Sequence, residues 1–298
     1  MSSDKVWKVT LIKKPIFRLD LSNINWNQFT EANGAGEWSN FFILDGVNKK
    51  PFNDFFSVQK VSYYSDDEFC SSYDFEDITN MRDLKKKIIF EGNMSDVDFL
   101  GFGNDGVHML VNGNIGNYTG CLMKTGSITI KGSAGHFIGA MMSGGNLTIN
   151  GNVGHYAGSN LTGEMQGMSG GHLVVKGNAG NSFGRRMRRG FAFVSGDVGD
   201  FFANDMIAGS AIIGGKAGRF WGYGMRRGTI VFAKDQEIPV QVFKETNYDF
   251  TSYWGLMRPT IESFNGPMQS FLDKTPRRFV GDLAFGGKGE CLLPPKTI

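Results

Sequence analysis

The chain has 298 residues, 42 of them glycine, with 31 Lys and Arg against 29 Asp and Glu for a formal net charge of +2. That length holds one large domain or two modest ones, and the near-neutral balance by itself argues neither for nor against nucleic acid. Cys70, Cys121 and Cys291 lie far apart with no CxxC, which speaks against a disulfide framework or a cysteine metal site.

The N-terminus, MSSDKVWKVTLIKK, lacks an apolar signal core, and no stretch approaches the length of a membrane span. A soluble cytoplasmic protein with no membrane partner is expected. Residues 1–91 are rich in aromatics, Asn and Asp and carry no repeat, so they are expected to form a small α/β or irregular region that caps the body or meets partners. The acidic residues Asp66, Asp67, Glu68, Asp74, Glu76 and Asp77 form a local run of the kind usually found in a solvated loop.

From Gly92 the chain changes character. Of the 42 glycines, 33 lie within residues 92–232, and no proline occurs between Phe52 and Ile238. A loose unit at Gly92 precedes six close copies of G-x-small-G-x-x-x-G, two residues, Met, two residues, Gly. The copies begin at Gly113, Gly132, Gly151, Gly177, Gly196 and Gly215, at steps of 19, 19, 26, 19 and 19 residues, with a loop added at 159–165. A fixed period of this kind marks a solenoid whose units bury their apolar sides against one another.

Each unit ends in a period-two alternation, as in Ser127–Lys131, Asn146–Asn150 and His172–Lys176, which predicts a short half-buried strand. The glycine load excludes helix, since each interior Gly costs about 1 kcal/mol against Ala. Equal strands at a fixed period predict an all-β protein, a right-handed parallel β-helix of about seven coils roughly 4.8 Å apart over 92–232. Residues 233–298 regain proline and lose the period, and are expected to be a tail packed on the coils or on partner subunits.

Stacking in register turns equivalent positions into columns. Met123, Met142, Met168, Met187, Met206 and Met225 read as adaptable interior filler rather than a soft-metal path. Ile115, Ala134, Val153, Ala179, Val198 and Ala217 form a small apolar column, and Tyr118, Phe137, Tyr156, Phe201 and Phe220 an aromatic one. His136 and His155 share a column but lack carboxylate or cysteine neighbours, so exposed or hydrogen-bonded histidines are expected there rather than metal ligands. Gly101–Gly106 lacks the following helix of a phosphate loop, and no GxxxxGK[ST] occurs. The few acids of the repeats, Glu164, Asp197, Asp200 and Asp205, form no facing pair, so catalysis by this chain alone is not expected. Ala203 departs from the pattern by replacing the third glycine of its unit, and Asn104 stands near the place of the missing methionine in the loose unit.

Basic residues gather at Arg185, Arg186, Arg188 and Arg189 and again at Arg226 and Arg227. Arg188 and Arg226 are two coils apart in one column, with neutral Ile207 and Ala208 between. Guanidinium forks suit carboxylates, so this is the candidate anion track; the plain alternative is a solvated face or ion pairs with another subunit. A short cluster on a near-neutral chain does not suit nucleic acid.

The G-x-x-G-x-x-x-G-x-x-M-x-x-G unit resembles the repeat of the C-subunit family of formylmethanofuran dehydrogenase, and more distantly the C-terminal GXGXG β-helix domain of the glutamate synthase large subunit. The flanks FILDGVNKKPFNDFFSV (42–58), IIFEGNMSDVDFLG (88–101) and RRFVGDLAFGGKGECLL (277–293) extend the first resemblance over nearly the whole chain. It implies a non-catalytic scaffold subunit of a methanofuran-dependent C1 complex, with metallohydrolase, formyltransferase and redox-like partners. The bacterial formyltransferase/hydrolase complex, which passes a formyl group from tetrahydromethanopterin to a methanofuran analogue and hydrolyses it to formate, is the leading reading. The archaeal molybdenum or tungsten formylmethanofuran dehydrogenase is the alternative. No cofactor is assigned to this chain; zinc and a possible molybdenum or tungsten pterin belong to partners. The polyglutamate tail of the methanofuran analogue would suit the six arginines. Two other readings remain open: a glutamate-synthase-type domain supporting ammonia channelling, and a free-standing β-helix that binds an anionic ligand.

Overall fold

A computed structural model describes residues 5–32, 37–62, 86–262, 272 and 274–296. The acidic run at 66–77 and Cys70 lie outside the described residues. The chain is mostly β. In order come β1 (Lys5–Leu11), β2 (Leu19–Asp20), helix α1 (Trp26–Glu31), β3 (Phe42–Asp45), β4 (Asn48–Pro51), β5 (Phe56–Ser62), β6 (Lys87–Glu91), β7 (Val97–Asp98) and β8 (His108–Asn112). The repeats then supply β9 (Ser127–Ile130), β10 (Asn146–Ile149), β11 (Ser169–Val175), β12 (Arg189–Val194), β13 (Ser210–Ile213) and β14 (Gly228–Phe232). After them come β15 (Lys244–Thr246), helix α2 (Thr251–Glu262), β16 (Arg277–Gly281) and β17 (Gly289–Leu293).

Thirteen strands form one mixed sheet in the order β15-β16-β17-β14-β13-β12-β11-β10-β9-β8-β6-β1-β5, and β4-β3-β2-β7 form a second. From β1 through β6, along the repeats to β14 and on to β17, every neighbour is parallel; only β5, β15 and β16 are joined through antiparallel pairings. Each repeat adds one strand, displaced by one period: Asn146 faces Ser127 on one side and His172 on the other. A second ladder of parallel bridges joins Met94, Ile115, Ala134, Val153, Ala179, Val198 and Ala217 in turn. The small apolar column of the sequence is therefore a line of backbone contact between coils.

The alternation in the strands sorts inside from outside. Ile128 and Ile130 of β9 are fully buried, with Ser127 and Thr129 between them half-buried. The six column methionines are fully buried in one hydrophobic cluster that runs from Trp7 to Leu293. Asn104 takes the methionine place in the loose unit, and its Nδ2 donates to the carbonyls of Val107 (2.8 Å) and Thr125 (3.1 Å), so this buried amide is satisfied. The aromatic column stacks face to face, with Phe99, Tyr118, Phe137 and Tyr156 at centroid spacings of 4.5, 4.9 and 4.9 Å. Ser182 interrupts it, and Phe201 and Phe220 resume it at 5.2 Å.

Two columns of side-chain acceptors explain the paired glycines. Asn114 Oδ1 accepts from the Ser133 N–H, Ser133 Oγ from Asn152, Asn152 Oδ1 from Asn178, Asn178 Oδ1 from Asp197, and Asp197 Oδ1 from Lys216, at 2.8–3.1 Å. The other column runs from Asp98 through Asn117, His136, His155, Asn181 and Asp200, each accepting from the backbone N–H of its equivalent in the next coil. Each acceptor lies where the next coil's glycine would carry a Cβ. At Gly177 that atom would sit 2.6 Å from the Gly151 carbonyl oxygen and closer still to Asn152 Oδ1. Glycine is needed there for close approach, not for an unusual φ.

The flanks dock onto this stack. Arg18 binds Asp98 through both Nε (2.7 Å) and Nη2 (2.5 Å), while Asp98 also takes the Asn117 N–H. That hydrogen-bonded carboxylate holds the Arg18 guanidinium's pKa above its ordinary value. Ala203 adopts the left-handed conformation of the glycines it replaces, with φ 54°, at a cost of about 1–2 kcal/mol.

Gly177→Ala should therefore lose about 2 kcal/mol or more of stability, because backbone and not a flexible side chain must give way. Denaturant titration checks this; an unchanged midpoint would refute the close-approach account.

Candidate functional site

The arginines sit at the corners just before the strands. The N–H of Arg188 donates to Met168 O, that of Ile207 to Met187 O, and that of Arg226 to Met206 O, each at 2.8 Å. Arg188, Ile207 and Arg226 thus stand on successive coils, and Arg189, Ala208 and Arg227 follow one residue along. The neutral rung keeps guanidiniums from stacking at one coil spacing, about 4.8 Å, and leaves room for an anion between them.

Arg188, Arg189, Arg226 and Arg227 line one cavity of about 650 Å³ together with Phe285 and Lys288. Arg188 Nη1 donates to Gln166 Oε1 at 2.7 Å. Among the described residues no carboxylate pairs with these four arginines or with Lys288, so five cations share an open cavity without a counter-charge. Arg185 and Arg186 turn elsewhere: Arg185 Nη2 and Arg186 Nε lie 3.7 and 3.6 Å from Asp205 Oδ2, and Arg186 Nη1 reaches the Glu164 carbonyl at 3.3 Å. The six arginines therefore divide into four that line the cavity and two that flank it through an acid.

Lys288 is the residue that the repeat analysis missed. It precedes Gly289, which pairs with Gly228, so it follows Arg227 in the same register on the next strand, β17. The signal was present off the period: Arg227-Gly228-Thr229-Ile230-Val231 and Lys288-Gly289-Glu290-Cys291-Leu292 share a basic–Gly–polar–apolar–apolar phrase.

The GXGXG motif family matches residues 86–252, from the residue before β6 into the start of α2. The chain belongs to the GXGXG family. No curated protein sequence matches it. Among solved structures, this GXGXG chain is similar to a chain of the formyltransferase/hydrolase complex from Methylorubrum extorquens, crystallised in complex with methylofuran. The identity is 28%, the TM-score 0.80, and the match covers 97% of this chain and 100% of that one. The resemblance drawn from the repeats and flanks is thus shown.

The histidine pair has a structural occupation. His136 Nδ1 accepts from the His155 N–H and His155 Nδ1 from the Asn181 N–H, both at 2.9 Å, and the rings stack at 5.0 Å. An acceptor Nδ1 means the neutral ring with its proton on Nε2. Cys121 and Cys291 are free and buried, and desolvation pushes the Cys121 thiol up to about 12. Among the described residues no group of three or more His, Cys, Asp or Glu is placed to hold a metal ion. Nor is any helix among them long and apolar enough to cross a membrane.

Desolvation, then the neighbouring His155, then Arg18 lower the pKa of His136 below its ordinary 6.5. Above that value both folded and unfolded rings are neutral and nothing is gained or lost. As pH falls below it the unfolded chain takes the proton first, so stability falls with it. His136→Asn keeps the acceptor, as Asn117 and Asn181 do, and should flatten the decline in denaturation midpoint between about pH 7.5 and 5.5. His136→Leu, which loses the acceptor as well as the titration, should lie about 1 kcal/mol below His136→Asn at both ends of that range. A decline as steep in the Asn variant as in the parent would remove His136 as its source.

Proposed function

We propose that this chain is the scaffold subunit of a formyltransferase/hydrolase complex, the counterpart of the C-subunit family of formylmethanofuran dehydrogenase, and performs no bond-making itself. In this reading residues 92–232 form a right-handed parallel β-helix of about seven coils, capped by 1–91 and closed by 233–298. It holds a formyltransferase, a zinc metallohydrolase and a redox-like subunit in fixed relation in the cytoplasm. The observation that carries the proposal is the full-length likeness, at 28% identity, to a chain of a complex solved with methylofuran. That likeness takes in both flanks as well as the repeats, which favours this reading over a glutamate-synthase-type domain.

The cavity at Arg188, Arg189, Arg226 and Arg227, extended by Lys288, is the part of this subunit that meets the carrier. Its unpaired guanidiniums hold the carboxylates of a polyglutamylated methanofuran analogue while the formylated end moves between partner sites. Arg185 and Arg186 serve as a second rank, released when carrier carboxylates replace Asp205. A carboxylate polymer fits better than a single small anion because the cations are spread along several coils.

Two experiments test this. Purification of the tagged chain from its native cells should bring down a formyltransferase and a metallohydrolase without a molybdenum or tungsten pterin subunit. A pterin-metal subunit in the same peak would mean the archaeal-type dehydrogenase, and a chain that emerges alone would defeat the assignment to a complex. Within the assembled complex, Arg188→Ala with Arg226→Ala should raise the apparent KM for polyglutamylated carrier about 10- to 100-fold and weaken its salt dependence, with folding unchanged. An unaltered KM would leave the complex standing and dismiss the carrier track.

A further inference from the structure

In every coil three backbone N–H groups outside the strands point to the next coil. In the fifth these are Val198 N–H to Lys216 O (2.9 Å), Phe201 N–H to Arg219 O (2.8 Å) and Asp205 N–H to Tyr223 O (2.7 Å). The same pattern recurs back to the loose unit, where Phe99 donates to Asn117 O and Gly103 to Cys121 O, with the third acceptor shifted by one residue only beside the 159–165 loop, where Gly167 donates to Arg186 O. The sixth coil has no repeat beyond it, and the chain's own C-terminal segment replaces two of the three acceptors. Ala217 N–H donates to Gln236 Oε1 at 3.1 Å, and Gly224 N–H to Asp282 Oδ2 at 3.0 Å. The strand edge is likewise covered, by β17.

The third donor, Phe220 N–H, has no acceptor among the described residues. The outer face of its ring also has no successor in the aromatic stack, and Phe220 is 43% exposed. Both open onto a cavity of about 400 Å³ whose walls include Ala217, Arg219, Tyr223, Gln236 and Pro239. At the rim, Lys216 and Arg219 occupy the column positions that hold Asn, Ser, His or Asp in the lower coils. Those cations cannot accept from a further coil. The end of the stack therefore presents donors where every earlier coil presents donors and acceptors together.

We propose that this end is a docking site for an extended segment of a partner protein that supplies one more turn: a backbone carbonyl for Phe220 N–H, followed at once by an aromatic residue whose ring stacks on Phe220. The register of the coils dictates that order, since the residue that accepts always precedes the residue that stacks, as Arg219 precedes Phe220. The residue before the aromatic meets Lys216 on one side, while Arg219 is held by Asp200 at 3.1 Å and Glu237 also lines the cavity, so its charge is not dictated by the site. A peptide carbonyl fits better than a free small anion, because the orphan donor and the Phe220 ring, edged by Tyr223 at 5.8 Å and with the Arg219 guanidinium 5.9 Å from its centroid, are offered at the spacing of one main chain. This inference rests on coil register and stands apart from the assignment to a formyl-transfer complex.

The probe is a turn of the chain itself, an N-acetylated, C-amidated peptide of sequence Asp-Val-Gly-Asp-Phe-Phe-Ala-Asn copied from residues 197–204, added to the full chain. Amide hydrogen exchange followed by NMR should show Phe220 exchanging much faster than Phe201 in the free protein. The peptide should slow Phe220 saturably, and one with Ala for the first Phe should bind at least about tenfold more weakly. Phe220→Ala should abolish binding while the chain stays folded, with a fall in melting temperature no larger than the lost stack on Phe201 accounts for. The proposal is overturned if Phe220 is already as slow as Phe201, if neither peptide saturates, or if the Ala peptide binds equally well. Phe220 protection that grows with protein concentration in the absence of peptide would assign the end to a second copy and equally overturn a partner segment.

Discussion

Everything in this structure depends on how closely one coil can lie on the next. Asn, Ser, His or Asp reaches up from each coil to take a backbone N–H of its neighbour, and the acceptor occupies the volume that a Cβ would fill. Two glycines per coil are the direct consequence. The interval between them, with a small apolar residue inside it, places the second ladder of parallel bridges beside the acceptor columns. Hydrogen bonds of this kind are worth about 1 kcal/mol each in net terms, but an unmade one at a covered site costs more, so the columns enforce register as much as they stabilise. With register enforced, methionines meet methionines inside and aromatic faces meet aromatic faces outside.

A stack built by nearest-neighbour contact has two ends that must be closed. The N-terminal region closes one with β1 laid parallel to β6 and with Arg18 clamped on Asp98, the first acceptor of the histidine column. The other is closed piecemeal by Gln236, Asp282 and β17. Phe243 stacks on the buried Trp221 at 5.0 Å, sealing the hydrophobic interior beneath them. The incompleteness of that second closure at Phe220 is a property of the backbone ladder and not of any one side chain.

The same repetition arranges charge. A corner residue points outward whichever side chain it carries, because the methionine before it is committed to the interior. Arginine at that corner in the fourth and sixth coils, and not in the fifth, yields paired cations two coils apart with an open rung between. Asp205, on the intervening coil, neutralises the inner pair but does not reach the outer four. A stack of coils can in this way carry a cationic surface at little cost to its core, since none of the cavity's cations is buried.

Much of this was legible in the residues. The period, the strand segments at Ser127, Asn146 and His172, the buried methionines and the stacked aromatics follow from spacing, since coils that repeat in sequence must stack like on like. The division of the six arginines could not be read that way, because it turns on Asp205 swinging toward one pair. Lys288 joined the cavity only through β17, a strand brought in from outside the period by tertiary pairing. The acceptor columns were visible as letters but not as bonds: His136 and His155 could have been ligands until the next coil's N–H groups were placed on their Nδ1 atoms. Sequence by itself determined what repeats, because local spacing and steric close approach act within and between equivalent units. Tertiary structure decided how the repetition ends and where its exposed charges converge, because those depend on segments with no period meeting the last coil in space.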